Sequence, residues 1–348
     1  MTELARSLAG CVVRWQELHG RNHLPWQNTQ DPYRVWLSEV MLQQTQVSTV
    51  LHYFARFTAR LPDVAALAAA SEDEVLGLWS GLGYYSRARN LRRCAVEIVC
   101  TWGGQFPKTA EKLESLPGIG RSTAAAIASL CFGERVAILD ANVKRVVARV
   151  LAFGTDLSSS AGERQLWAEA TKLLPVRDLA RTMPRYTQGM MDLGATVCHA
   201  RRPLCGQCPL ADVCEARRRG TTELLPVKTR KLKRSSEVVW LLWARARDAS
   251  VWLQRRPVPG VWAGLYCLPW FGSRDELLAA VPSRYRQHAR DLDVFKHVLT
   301  HKDLHVHPVQ MLLAKNALDG TAAGQWFGVE EWPRLGLPAP VRSLLVQG

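Results

Sequence analysis

Residues 198–214 read CHARRPLCGQCPLADVC, a C-x6-C-x2-C-x5-C spacing. Four thiols so close in sequence force the backbone to wrap around one centre, and soft sulfur ligands admit either an iron–sulfur cluster or zinc. Zinc ribbons present two C-x2-C pairs on separated turns, whereas only one such pair occurs here. The expectation is therefore one 4Fe-4S cluster held by Cys198, Cys205, Cys208 and Cys214, with zinc the second alternative and unliganded thiols the third. The other five cysteines, Cys11, Cys94, Cys100, Cys131 and Cys267, lie in apolar or mixed stretches and are expected to pack as small hydrophobes. No disulfide framework is expected, because nothing at the N-terminus has the layout of a secretory signal.

The chain of 348 residues, 47% of them hydrophobic, is long enough for two domains. From about residue 4 to 222 the apolar spacing is helical almost throughout. DPYRVWLSEVMLQQTQVSTVLHYFARF opens on Asp31 as N-cap, with Pro32 at the first helical position, where a missing N–H costs nothing. PVKTRKLKRSSE (226–237) is basic, without periodicity, and reads as a linker. Beyond it, EVVWLLWARA, SVWLQRR and LHVHPVQMLLA are strand-like, while RDELLAAV and VRSLLVQ are helical. The C-terminal part is thus mixed α and β. No apolar run reaches the roughly 18 residues of a membrane span, so a cytoplasmic protein with no membrane partner is expected.

Lys and Arg exceed Asp and Glu by 14, a surplus that points to a polyanionic partner. SLPGIGRSTAAA (115–126) sets a Pro-Gly-x-Gly turn between two helical runs. Gly118 and Gly120 can adopt backbone angles closed to other residues, and such a turn presents its N–H groups at a helix start, which makes an anion site. A DNA phosphate fits there without any base being read. In VAILDANVKRVVARV, Asp140 precedes an amphipathic helix as its N-cap, and hydrogen bonds from helix amides lower a carboxyl pKa. In WLSEVMLQQTQV, Glu39 sits among apolar residues, so it either lies on an exposed stripe or is held in a pocket with a raised pKa.

The cysteine spacing, following a helical region with a Pro-Gly-x-Gly hairpin, resembles the endonuclease III and MutY group of DNA glycosylases. HGRNHLPWQ together with EVMLQQTQV resembles the MutY-type adenine DNA glycosylases within it. The resemblance implies an all-α catalytic region, a helix-hairpin-helix glycosylase with a six-helix barrel plus an iron–sulfur cluster domain, joined to an α+β Nudix-like C-terminal domain. It also implies that the cluster is structural. By the same resemblance Glu39 is the general acid that protonates adenine N7, and Asp140 stabilises the oxocarbenium-like sugar. Bifunctional relatives carry a lysine nucleophile where this chain has Ser122, so a water-using, monofunctional enzyme is implied. Gln43 and Gln44 would enter the stack vacated by a flipped adenine, Tyr84 would insert beside the opposite base, and Trp26 and Gln188 would line the adenine pocket. Lys144, Arg201 and Arg202 would meet phosphate or solvent.

VWLQRRPVPGVWAGLYCLPW resembles the C-terminal domain of the same family, itself related to Nudix hydrolases. The clustered glutamates of a functional Nudix box are missing, so this domain is expected to bind without hydrolysing. Where the family's recognition loop commonly reads Phe-Ser-His, KHVLTHKDLHVH offers Leu299, Thr300 and His301. His297, His305 and His307 are expected to be ordinary strand residues. The resulting expectation is a monomer with a glycosylase domain at 1–222, a linker at 223–237 and an 8-oxoguanine recognition domain at 238–348. Its partner would be double-stranded DNA, in a bacterial nucleoid, with adenine opposite 8-oxoguanine or guanine.

Overall fold

The computed structural model describes residues 3–230, 233–318 and 324–347; residues 231 and 232 of the expected linker lie outside them. The chain divides into two compact units, one comprising Met1–Ala68 with Arg93–Lys231, the other Ala69–Arg92 with Leu232–Gly348.

In order, the helices up to residue 218 are α1 (Glu3–His19), α2 (Pro32–Leu42), α3 (Val47–Arg60), α4 (Val64–Ala69), α5 (Glu72–Trp79), α6 (Ser86–Trp102), α7 (Ala110–Glu114), α8 (Arg121–Phe132), α9 (Ala141–Val150), α10 (Ser160–Lys172), α11 (Leu179–Thr196) and α12 (Glu215–Arg218). The helical stretch that opens on Asp31 forms two helices, α2 and α3. Asp31 caps α2, its carboxylate accepting from the Tyr33 N–H at 2.9 Å. The run then breaks because Gln43 leaves helical angles and Gln44 takes φ 56°, a left-handed conformation that no helix continues through. The core of the first unit forms where α1, α9, α10 and α11 turn apolar faces on one another. In α9, Val143, Val146, Val147 and Val150 recur at three- and four-residue steps, and all are buried.

The second unit holds the strands β1 (Ser235–Arg245), β2 (Val251–Arg255), β3 (Tyr266–Cys267), β4 (Trp270–Phe271), β5 (Arg290–Asp291), β6 (Phe295–Val298), β7 (Lys302–Leu312) and β8 (Gly324–Phe327). They form one mixed sheet with the order β3-β2-β1-β7-β5, in which β4 lies along β1, β6 along β7 and β8 along β2. β1 and β7 run parallel from Ser235↔Lys302 to Arg245↔Leu312, while the other pairs are antiparallel. Helices α13 (Arg274–Ala279), α14 (Ser283–Arg286) and α15 (Ala339–Gln347) complete the unit. Leu277 and Val281, in and just after α13, pack with Leu242, Val309 and Met311 of the sheet. His297 lies in β6 and His305 and His307 in β7, and the His307 ring stacks on Trp240 at 4.4 Å between centroids.

Segment 69–92, helical in pattern, is held within this sheet-containing unit. Ser80 Oγ and the Tyr85 hydroxyl both donate to the Leu337 carbonyl at 2.9 Å, and Arg89 Nη1 donates to the Ala263 carbonyl at 2.6 Å. Among the described residues, no helix is long and apolar enough to cross a membrane.

Candidate active site

Glu39 lies on α2, half-buried, with Leu37, Ser38, Val40 and Met41 around it in sequence all buried. Its pKa is pushed up to about 7, chiefly by burial, with the charge of Asp140 adding to the rise and the Arg21 guanidinium opposing both. Asp140 caps α9, its Oδ1 accepting from the Val143 N–H at 2.7 Å. The expectation that its cap position lowers its pKa is corrected. Burial raises it, and the Val143 and Asn142 amides with Arg145 and Lys144 offset only part of that rise. The cap works in the expected direction, but desolvation of a half-enclosed carboxyl outweighs it. The Asp140 charge helps to raise the Glu39 pKa, so Glu39 keeps its proton toward neutrality. Such a pair can supply one acid and one carboxylate, the division of labour that glycosidic bond cleavage uses.

Beside this pair is a polar network that the sequence motifs did not single out. Asp192 of α11 is fully buried and accepts from Arg21 Nε at 2.8 Å, the Arg21 N–H at 3.0 Å and Gln188 Nε2 at 3.0 Å. Gln27 Nε2 also approaches it, at 3.5 Å, while Gln27 Oε1 is buried with no partner among the described residues. The available signal was an acid inside the apolar run GMMDLG, the same kind of signal as Glu39 gives. Trp26, Gln27 and Gln188 line one cavity of about 420 Å³. Trp26 is fixed there edge-on against Phe54. Glu39 is not among the residues lining that cavity.

The Pro-Gly-x-Gly turn joins α7 to α8. Gly118 has φ 77°, which favours glycine, but Gly120 has φ −89°, open to any residue, so the expected special angle is confined to Gly118. A Cβ at Gly120 would meet nothing within 4 Å. What Gly120 provides is a helix start with no side-chain cap, leaving the first amides of α8 without a side-chain acceptor there. A cavity of about 480 Å³ lies against it and brings together Gly120, Ser122, Gln43, Lys144 and Leu139, the residue before Asp140. Lys144 does not simply face solvent, since it forms an ion pair with Glu163. Gln43 and Gln44 are exposed at the break between α2 and α3.

In the second unit, Leu299, Thr300 and His301 form the turn between β6 and β7. Leu299 is half-buried, and Thr300 and His301 are exposed. Tyr84, at φ 46°, shares a hydrogen bond of 2.5 Å between its hydroxyl and Thr300 Oγ1. The Arg87 guanidinium lies between the rings of Tyr84 and Trp79, at 5.4 and 5.3 Å from their centroids, and donates to the Leu82 and Gly83 carbonyls at 3.2 Å.

Cys198, Cys205, Cys208 and Cys214 line one cavity with Val146, Arg149 and other largely apolar residues of α9 and α11. The donor set fits an iron–sulfur group, being four soft thiols on an apolar floor. Arg149, 2% exposed, fixes the loop by donating to Cys198 Sγ at 3.3 Å and to the His199 and Ala200 carbonyls at 2.6 and 3.0 Å. Burial pushes the Cys208 thiol up to about 11, so a bound cation is what would keep it as thiolate. Among the described residues, no group of three or more His, Cys, Asp or Glu side chains is gathered tightly enough to hold a metal ion. Arg201 and Arg202 of this loop are exposed. Of the scattered cysteines, Cys94, Cys131 and Cys267 are buried as expected, and burial raises each to about 12. Cys11, half-buried, packs against the core of the first unit, whereas Cys100 is exposed.

Three family models match the chain: HhH-GPD superfamily base excision DNA repair protein over 37–172, the iron-sulfur binding domain of endonuclease III over 198–214, and a NUDIX domain over 239–347. An adenine DNA glycosylase of Buchnera aphidicola subsp. Acyrthosiphon pisum is 33% identical over 338 residues, covering 96% of this chain and 95% of that protein. The Homo sapiens adenine DNA glycosylase is 46% identical over 225 residues, 62% of this chain and 40% of the human one. Among solved structures, a thermostable thymine-DNA glycosylase superposes with a TM-score of 0.54 at 24% identity, covering 62% of this chain and 98% of its own, a likeness of fold alone.

Proposed function

The chain belongs to the adenine DNA glycosylase family, and we propose that it excises adenine mispaired with 8-oxoguanine or guanine in duplex DNA by hydrolysing the N-glycosidic bond. One observation carries this reading. Glu39 on α2 is enclosed so that its pKa is held at about 7, and the charge of Asp140, the N-cap of α9, acts on it.

An adenine within a duplex is out of reach and must be flipped out, at a cost of a few kcal/mol. Trp26 and Gln188 are proposed to line the base pocket, and the neighbouring Gln27 carbonyl, buried with no partner among the described residues, is an acceptor suited to an exocyclic amine. Glu39 gives its proton to adenine N7, so the base leaves as a neutral molecule. The electron pair of the C–N bond goes with the base, and the Asp140 carboxylate faces the positive charge left on the sugar. Glu39, now a carboxylate, takes a proton from the attacking water, which closes the cycle and leaves an abasic site. No strand cleavage follows, because Ser122 cannot form a Schiff base with the sugar as a lysine would.

Grip on the duplex is assigned to the uncapped amides after Gly120, to Gly118, Ser122 and Lys144, and to Arg201 on the cysteine loop. Gln43, Gln44 and Tyr84 are assigned to the gap left by the flipped base. The four cysteines would hold one 4Fe-4S cluster, whose contribution is to fix the loop that carries Arg201. Residues 1–222 form the proposed glycosylase domain, 223–237 the connector and 238–348 the recognition domain, with Leu299, Thr300 and His301 meeting the base opposite adenine. The protein would act as a monomer on nucleoid DNA.

Glu39→Gln is the test. It preserves shape but has no proton to give, so single-turnover excision should nearly vanish while duplex binding persists. Retained excision would remove Glu39 from the acid's role.

A further inference from the structure

The turn carrying Thr300 is clasped from two sides by residues distant in sequence. On one side the Tyr84 hydroxyl meets Thr300 Oγ1 at 2.5 Å. On the other, Arg234 Nη1 donates to the Thr300 main-chain carbonyl at 2.9 Å, and the same guanidinium forms an ion pair with Asp303. Lys296 of β6 reaches Asp303 from across the hairpin at 2.7 Å, and the Ser235 N–H donates to the His301 carbonyl at 3.1 Å. Arg234 is the last residue before β1 and belongs to the basic stretch that reads in sequence as a mere linker.

The turn has few other restraints. Thr300 and His301 are exposed and Leu299 is only half-buried; the Leu299 N–H closes the turn onto the Lys302 carbonyl at 2.8 Å, but no large apolar anchor fixes the tip at Thr300. A guanidinium can hold a carbonyl and a carboxylate at once because its donors form a rigid fork.

We propose that Arg234 is a positioning residue for opposite-base recognition, fixing the Thr300 turn in the shape that distinguishes 8-oxoguanine from guanine. This rests on reading the 299–301 turn as the recognition loop. Arg234 itself touches no base. Its effect is to spare the turn the entropy of ordering when DNA arrives, a benefit realised only for the base that the ordered turn fits.

The experiment uses the full chain and measures single-turnover excision of adenine opposite 8-oxoguanine and opposite guanine, for Arg234→Ala, Arg234→Lys and a Thr300→Ala/His301→Ala double variant. Arg234 is substantially exposed, so its replacement leaves the fold intact. Arg234→Ala should lower the 8-oxoguanine-to-guanine rate ratio by about fivefold, as befits a charge-assisted bond discounted for solvent screening. Arg234→Lys, keeping the charge but losing the fork, should fall between Ala and wild type. A ratio unchanged in Arg234→Ala but lowered in the double variant overturns the inference alone. An equal slowing of both substrates also overturns it, by marking Arg234 as merely structural. A ratio unchanged in every variant overturns the recognition reading itself, and the inference with it.

Discussion

The two turns proposed to do different work in this molecule are built differently. The Pro-Gly-x-Gly turn between α7 and α8 is made of backbone: one left-handed glycine, one uncapped helix start and no side chain that must arrive from elsewhere. The 299–301 turn depends in addition on side chains, Tyr84 and Arg234, that reach it from far along the sequence. A backbone site binds what every duplex has, whereas a side-chain clasp can favour one base over another. On the proposed reading, chemistry and grip belong to the helical unit, and choice to the sheet-containing one.

The sharpest way to break this division is at the acid. Glu39→Gln should slow excision opposite both bases by about 10²–10⁴-fold, the range of a positioned general acid, in single-turnover assays with binding followed separately. A loss confined to one mispair would place choice, and not chemistry, at Glu39. In the wild type, the excision rate should fall as pH rises through about 7, because Glu39 then loses the proton it must donate. At the acid end the rate should also decline, since Asp140, raised above its ordinary value, becomes neutral there.

Next in size is the backbone turn. Gly118→Ala forces a side chain into φ 77°, costing about 1–2 kcal/mol, and should weaken binding to matched and mismatched duplexes alike by roughly tenfold. An effect on the 8-oxoguanine-to-guanine ratio would blur the two turns into one. Tyr84→Phe, which removes the bond to Thr300, should instead shift that ratio by about threefold, the scale of one neutral hydrogen bond, and leave the affinity for matched DNA unchanged.

The smallest effect concerns stability. Glu39 has a folded pKa of about 7, above its ordinary 4.5, so the fold's proton-linked stability is complete below about 4.5 and is lost as pH rises through 7. Glu39→Gln resembles the protonated form and should therefore raise the unfolding temperature at pH 8 but not at pH 4. Equal melting at both would mean that Glu39 is solvated in the folded protein.

How much of this was legible in the sequence follows the same division. Asp31, Asp140 and the glycine turn act through neighbours within a few residues, and their elements lie where the pattern puts them. The three strand-like runs became β1, β2 and β7 because apolar and β-branched spacing is itself local. The split between α2 and α3 was hidden, since a left-handed glutamine leaves no mark in the apolar spacing. Asp140's pKa direction was missed because the cap is local while burial is set by the whole fold. The Asp192 network and the clasp of Arg234 joined residues more than 60 positions apart, which no spacing motif records.

The most direct measurement is single-turnover excision on duplexes with adenine opposite 8-oxoguanine, guanine and thymine, each sample divided between alkali and no alkali before the strand is sized. Strand breaks at the two mispairs only after alkali, and none at the normal pair, are what a water-using adenine glycosylase with a separate recognition turn must give. Efficient nicking without alkali would contradict it, for an amine would then be attacking the sugar where Ser122 cannot.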